Sequence, residues 1–350
     1  MVVLSAQDTE YMRTSIQDAV VKCSERCLYQ SAKWAAELLT SLPSPADLTP
    51  SSDRTEEDSH MFEPEPGQQR AGGTVPIVLS PNPDPAEARL EAQEVHKYLL
   101  AKSYFDCREY DRCAAVFLPD NLPLGPVSAK SQTTVNLTSP RPKTGMAKSS
   151  VPTSVPKAAM PSSSQRLSGL SQKALFLSFY AKYMAGEKRK DEESEMILGP
   201  ADGGITINKE VAGISRGLET WFANRMTDDG DIPGSQGWLE YLFGIVHSKE
   251  KNDEEARRWL IRSLNVYPYN WGAWQELNGL IGSTDELHAA LPLLSNNIMA
   301  FIFHVFCNQE LSQSTEPVHH ALNELQSIFP TSQFLKTQRA LLHYHSKGKE

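Results

Sequence analysis

Between residues 8 and 42, apolar side chains recur at Ile16, Ala19, Val20, Cys23, Cys27, Ala35, Leu38 and Leu39. Most steps are three, four or seven residues, the spacing that stacks side chains on one face of an α-helix. Pro43 ends the run, as proline ends a helix it cannot continue. The same period returns over 92–118, 172–187 and 208–226. In the last of these Val211, Ile214, Leu218, Trp221 and Phe222 form one stripe, and Asn208 stands where an N-cap belongs. No stretch alternates apolar and polar residues with the period of a strand. The pattern predicts an all-α protein.

Within that helical pattern lies a repeat. Residues 237–270, GWLEYLFGIVHSKEKNDEEARRWLIRSLNVYPYN, read as two helices around a charged turn. Gly244 is eighth in the unit, Ala256 twentieth, Leu260 twenty-fourth, Ser263 twenty-seventh and Pro268 thirty-second. Small residues at the eighth and twentieth places let two helices cross closely, a large one fills the groove, and proline closes the second helix; this is the tetratricopeptide (TPR) skeleton. Trp271 opens the next unit and Trp274 is its fourth residue, so the aromatic cluster 265–281 reads as a repeat boundary. Degenerate units follow the same skeleton around Ala101, over 173–226 and over 297–330, and a further first helix begins near Ser332. The expected fold is a TPR solenoid whose array runs on past this sequence.

Two stretches break the periodicity. Residues 43–85 hold nine prolines and acidic clusters such as Glu56-Glu57-Asp58. Residues 121–170 hold seven prolines, ten serines, five threonines and six basic residues, with no acid. Neither has the apolar surface to offset chain entropy. The expected organisation is an N-terminal helical segment at 8–42, a disordered acidic linker at 43–91, a TPR-like helix pair at 92–118, a disordered basic insertion at 119–171, and a solenoid at 172–345. In the basic insertion Ser139 precedes Pro140 beside Arg141 and Lys143, a setting for proline-directed phosphorylation, which would offset part of the positive charge.

Composition narrows the function. A formal charge of −9 argues against general nucleic-acid binding. No apolar run reaches the length of a membrane span, and the N-terminus lacks the basic and apolar regions of a secretory signal. Cys23, Cys27, Cys107, Cys113 and Cys307 are an odd, scattered set that offers no disulfide framework and suits a reducing compartment. They cannot supply the eight paired ligands of a RING-type zinc ligase. His304 and Cys307 share a helical face, as do Cys23 and Cys27, but two ligands do not make a metal site. No phosphate-binding loop or zinc-protease motif is present. Neither cofactor nor metal is expected, nor is the chain expected to be an enzyme. The run EKRKDEESE at 187–195 reads as a solvated interhelical turn or, less well, as a nuclear-import signal.

Four blocks carry a more specific likeness: SAKWAAELLTSLP (31–43), LAKSYFDCREYDRCAAVFL (100–118), KALFLSFYAKYMAGEKRKDEESEMILGP (173–200) and WGAWQELNGLI (271–281). In order and wording they resemble the family of TPR subunit eight of the anaphase-promoting complex. The resemblance implies a non-catalytic scaffold of a ubiquitin ligase acting in cell-cycle control, in nucleus and cytoplasm. It also implies a homodimer formed through N-terminal repeats, contacts with other subunits of the complex, and a coactivator contact that needs later repeats. No nucleic-acid or membrane partner is implied. Two alternatives stand beside it. The segment Pro268 to Trp271 also resembles the repeat of prenyltransferase α-subunits, although one copy is present where an enzyme would need several. A generic TPR peptide-binding adaptor would need a Lys/Asn/Arg set on its concave face, which the sequence does not assemble.

The surface left for function is the repeat groove. The second, fifth, ninth and twelfth positions of a first TPR helix face inward across it. In the unit around Ala101 these are Val95, Tyr98, Lys102 and Phe105; in 237–270 they include Trp238, Tyr241 and Ile245. Exposed aromatics there would anchor a protein partner, and the alternative is that they pack against neighbouring helices.

Overall fold

The computed structural model describes residues 6–42, 82–118, 167, 169–195, 206–228, 230–312 and 316–347. Every regular element among them is helical. The helices are α1 (Ala6–Glu25), α2 (Tyr29–Thr40), α3 (Pro85–Asp106), α4 (Tyr110–Ala115), α5 (Gln172–Glu195), α6 (Val211–Ala223), α7 (Trp238–Lys249), α8 (Asp253–Val266), α9 (Trp271–Gly279), α10 (Thr284–Ala290), α11 (Ile298–Glu310), α12 (Glu316–Ile328) and α13 (Gln333–Lys347). A short 3₁₀ turn, Leu291–Leu293, follows α10. The two expected linkers fall largely on residues outside the described set, and Ser139 lies there too.

From α3 onward the helices pair as first and second members of successive repeats. Through α9 each second helix packs on its own first helix and on the first helix of the next repeat: α4 on α3 and α5, α6 on α5 and α7, α8 on α7 and α9. First helices also touch first helices, α3 on α5 and α5 on α7. That arrangement is a TPR solenoid with the odd-numbered helices on its inner face.

The predicted skeleton explains the close crossings. A Cβ built on Gly244 would lie 2.7 Å from Leu260 Cγ, so glycine is what lets α7 and α8 meet. Gly217 does the same against the Phe179 ring, where a Cβ would lie 2.6 Å from Cζ. Ser263 Oγ donates to the Gly237 carbonyl at 2.6 Å, tying the two ends of the unit together. At the boundary Trp274 Nε1 donates to the Pro268 carbonyl at 2.7 Å, and Trp271 and Trp274 are buried. The dense aromatics at 265–281 are thus repeat-closing core.

One backbone feature recurs without a sequence signature. Among the described residues, four non-glycines have left-handed φ: Cys27 (59°), Arg108 (61°), Lys251 (65°) and Ser312 (54°). Each follows the first helix of a pair, in α1–α2, α3–α4, α7–α8 and α11–α12. In three of the turns the next N–H reaches back five residues: Leu28 to Cys23 O, Glu109 to Tyr104 O, and Asn252 to His247 O. This is the Schellman helix end. The N-terminal hairpin α1–α2 therefore turns as the repeats do.

Two boundaries differ from the sequence reading. The helix expected from residue 92 begins at Pro85, because Asp84 caps it by accepting from Ala86 N at 2.9 Å and proline suits the first helical turn. The charged run 187–195 is the last part of α5 and not a turn. Its Lys, Arg and Glu side chains are good helix formers, and they are held by Arg189 to Asp111 at 3.0 Å and Lys209 to Glu193 at 2.7 Å. The N-cap expected at Asn208 falls instead on Glu210, which makes no side-chain cap bond; Asn208 sits two residues earlier, where its Oδ1 accepts from Glu210 N at 3.0 Å and its amide donates to the Tyr183 carbonyl at 3.0 Å.

Candidate functional site

The inner face of the solenoid is occupied. The hairpin α1–α2 lies across the first helices of the repeats and covers much of the groove they form. At its turn, Tyr98 of α3 donates its hydroxyl to the Glu25 carbonyl. The Glu25 carboxylate accepts from Lys173 Nζ of α5 at 2.7 Å, with both side chains under a tenth exposed. The Arg26 guanidinium lies 4.4 Å from the ring centroid of Trp238 on α7. Further along, Ser31 Oγ accepts from Gly272 N of α9 at 3.0 Å. Trp34 stacks on Trp271, with centroids 4.3 Å apart and planes 3° from parallel, and meets Phe334 of α13 edge-on at 5.9 Å.

The seating follows from the composition of both parties. On α1, Met12, Ile16, Ala19 and Cys23 are buried; on α2, Ala32, Ala35 and Leu38 are buried. Two short helices cannot cover both sides of such stripes by themselves. The partner surface is buried all round and almost wholly apolar: Ala174 to Phe179 of α5 are buried without a break, and the one polar member, Ser178, donates to the Ala174 carbonyl. A helix apolar on every side needs cover on every side, and the hairpin supplies the inner one. Burial lowers the pKa of Lys173, with Glu25 opposing the shift. A charge pair so placed is held by its geometry.

The seven groove positions can now be located. Tyr98 and Trp238 are buried beneath the hairpin. Lys102 lies 5.6 Å from the centroid of Tyr29 on α2 and pairs with Asp106 at 2.9 Å. Phe105 and Tyr241 are buried and line a cavity of about 480 Å³ beside the hairpin turn. Ile245 is buried in the main core. Val95 is half-buried beside Tyr98 and Lys173. The aromatics expected as exposed anchors are therefore internal, because the chain's own hairpin covers the face they line. Sequence reasoning missed the hairpin's side of the contact: Glu25, Arg26, Ser31 and Trp34. The available signal was the charged pair Glu25-Arg26 set between Cys23 and Cys27 in an apolar stripe.

Chemistry is sparse. Among the described residues no group of three or more His, Cys, Asp or Glu side chains is placed to hold a metal ion. All five cysteines are free thiols. Burial pushes the thiols of Cys23, Cys113 and Cys307 up to about 12 and that of Cys27 to about 11, so they stay protonated at neutral pH. Burial, then the neighbouring His288, lowers the pKa of His304. No described helix is long and apolar enough to cross a membrane.

Fold and groove together define a tetratricopeptide solenoid whose inner face is closed by an N-terminal hairpin. The family model for anaphase promoting complex subunit 8 / Cdc23 matches residues 11–340. The chain belongs to that family. It is 32% identical over 344 residues to anaphase-promoting complex subunit 8 of Arabidopsis thaliana, covering 96% of this chain and 48% of the relative. To the human cell division cycle protein 23 homolog it is 27% identical over 323 residues, 92% of this chain and 39% of the relative. To anaphase-promoting complex subunit CDC23 of Saccharomyces cerevisiae it is 23% identical over 393 residues, 96% of this chain and 53% of the relative. The chain thus spans between two fifths and about half of the length of these relatives. Pro268 to Trp271, which also resembles a prenyltransferase repeat, lies at a repeat boundary of this solenoid.

Proposed function

We propose that this chain acts as a non-catalytic scaffold subunit of the anaphase-promoting complex, the assembly named in its relatives' descriptions, and that this complex works as a ubiquitin ligase in cell-cycle control. The observation that carries the reading is the family match across 11–340, laid on a solenoid that presents stacked helices. Its partners on this reading are the other subunits of that complex, in nucleus and cytoplasm. A coactivator contact would need repeats beyond those in this sequence. Expression of the tagged chain in dividing cells, followed by affinity purification and identification of co-purifying proteins, tests the assignment. Recovery of other subunits of the complex is expected; their absence under conditions that retain a known subunit would overturn it.

Self-association belongs to the same proposal. The hairpin ends at Leu42 and α3 begins at Pro85. The intervening chain, at about 3.3–3.6 Å per residue when extended, reaches well over 100 Å. The groove of a second copy is therefore within reach of the hairpin, and an exchange of hairpins would give a closed two-fold dimer through the contacts already described. Light scattering of the intact chain is expected to give a dimer mass at tens of micromolar. Replacing Tyr98 and Phe105 by charged residues should shift it toward monomer. A monomer for the unaltered chain at that concentration would exclude dimerisation by this sequence alone.

A further inference from the structure

The hairpin does not fill the whole groove. Beside its turn, residues 27–31, remains the cavity of about 480 Å³, walled by Phe105, Tyr110, Tyr180, Met184 and Tyr241 and bounded by Glu276 of α9. The walls are mainly aromatic: Phe105 and Tyr180 stack with centroids 5.6 Å apart, and Tyr110 meets Phe105 edge-on at 5.0 Å. Two carboxylates and one cation line the space, Asp106, Glu276 and Arg108. Asp106 is already engaged, by Lys102 at 2.9 Å and by the Tyr29 hydroxyl. Glu276 is not. It is half-buried, and among the described residues it makes no hydrogen bond or ion pair. Lys249 acts on it electrostatically but forms no ion pair with it among the described residues.

An unpaired, partly desolvated carboxylate is costly to keep. Burial raises the pKa of Glu276, which is how that cost shows. A carboxylate facing π-surfaces is a complementary setting for one chemical group, a planar guanidinium. The rings offer cation–π and stacking contact, and the carboxylate accepts two parallel N–H bonds. The cavity is partly open to solvent, so the group can come from outside the core.

We infer that this notch receives an arginine side chain of a partner polypeptide, held between the tyrosine walls and paired with Glu276. The site is composite. The turn of the hairpin forms one side and α3, α5, α7 and α9 form the other, so it exists only while a hairpin is seated. The inference does not rest on assembly into any complex, and it is tested on the isolated full chain.

The test is fluorescence anisotropy with a labelled Ala-Leu-Arg-Leu-Ala peptide and the same peptide carrying citrulline, which keeps the shape and removes the charge. The arginine peptide is expected to bind, at least ten-fold more tightly than the citrulline peptide. Glu276→Gln, nearly isosteric, should weaken the arginine peptide at least ten-fold and leave the citrulline peptide unchanged. Equal binding of the two peptides, indifference to Glu276→Gln, or no binding up to millimolar concentration would overturn the proposal. A synthetic peptide of residues 119–166, which holds the six basic residues of the Ser/Pro-rich insertion, serves as competitor. Its displacement of the arginine peptide at equal or lower concentration would assign the notch to the chain itself and overturn the partner reading.

Discussion

Replacing Lys173 by methionine tests how the hairpin is held. Lys173 and Glu25 bond at 2.7 Å with side-chain exposures of 4% and 7%, so neither charge has water to fall back on. Methionine matches the lysine stem in volume and keeps the apolar contact. It leaves the Glu25 carboxylate with Arg26 at 3.9 Å as the next ion-pair contact. Removing one partner of a buried pair costs about 3–5 kcal/mol, most of it the stranded charge. Adding Glu25→Gln removes that charge, and the double variant should recover more than half of the loss. Denaturant titration of the four chains gives the coupling energy, expected at about 2–3 kcal/mol for groups in direct contact. Hydrogen exchange should show the loss concentrated in α1 and α2. A loss below about 1 kcal/mol for Lys173→Met, or a double variant no better than the single, would refute the view that this pair anchors the hairpin.

Gly244→Ala should destabilise by about 1–3 kcal/mol through overpacking against Leu260, while Gly279→Ala, where a new Cβ meets nothing within 4 Å, should stabilise by about 0.4–1 kcal/mol; thermal melts read both signs. Lys251→Gly should raise stability by about 0.5–1 kcal/mol, because its φ of 65° is strained for a side chain and free for glycine. The lowered pKa of His304 means that the unfolded chain takes up a proton which the folded chain resists. The stability tied to neutral His304 is therefore present above the ordinary value of 6.5 and lost as pH falls from there through the folded value. His304→Gln should flatten that part of the stability profile between pH 7 and 5, and an unchanged slope would remove the histidine from the account.

Much of the solenoid was legible because its rules are local. Gly244, Ala256, Leu260 and Pro268 sit at fixed offsets, and close packing leaves few other residues those places. The start of α3 was not legible by composition, since Pro85 looks like the prolines before it; its role depends on the single hydrogen bond from Ala86 N to Asp84. The repeated turn was hidden for a different reason. Cysteine, arginine, lysine and serine occupy a left-handed position that usually signals itself with glycine or asparagine. The groove was half legible. Helical spacing put Tyr98, Lys102 and Trp238 on the inner face, but no local rule says that a segment more than forty residues away will lie on them. The anchors Glu25 and Trp34 depend on that long-range contact, and Glu276 is notable only for what fails to reach it.

A TPR superhelix ordinarily behaves as a spring: neighbouring repeats slide slightly on one another and the pitch opens or closes. Here one hairpin bonds or stacks to α3 through Tyr98, to α5 through Lys173, to α7 through Trp238, to α9 through Trp271 and to α13 through Phe334. Any change of pitch over this span would have to stretch several of those contacts together. The hairpin is in effect a splint laid along the inside of the coil. It makes this segment a stiff lever, and bending strain applied to a longer array would pass to whichever repeats lie outside its reach.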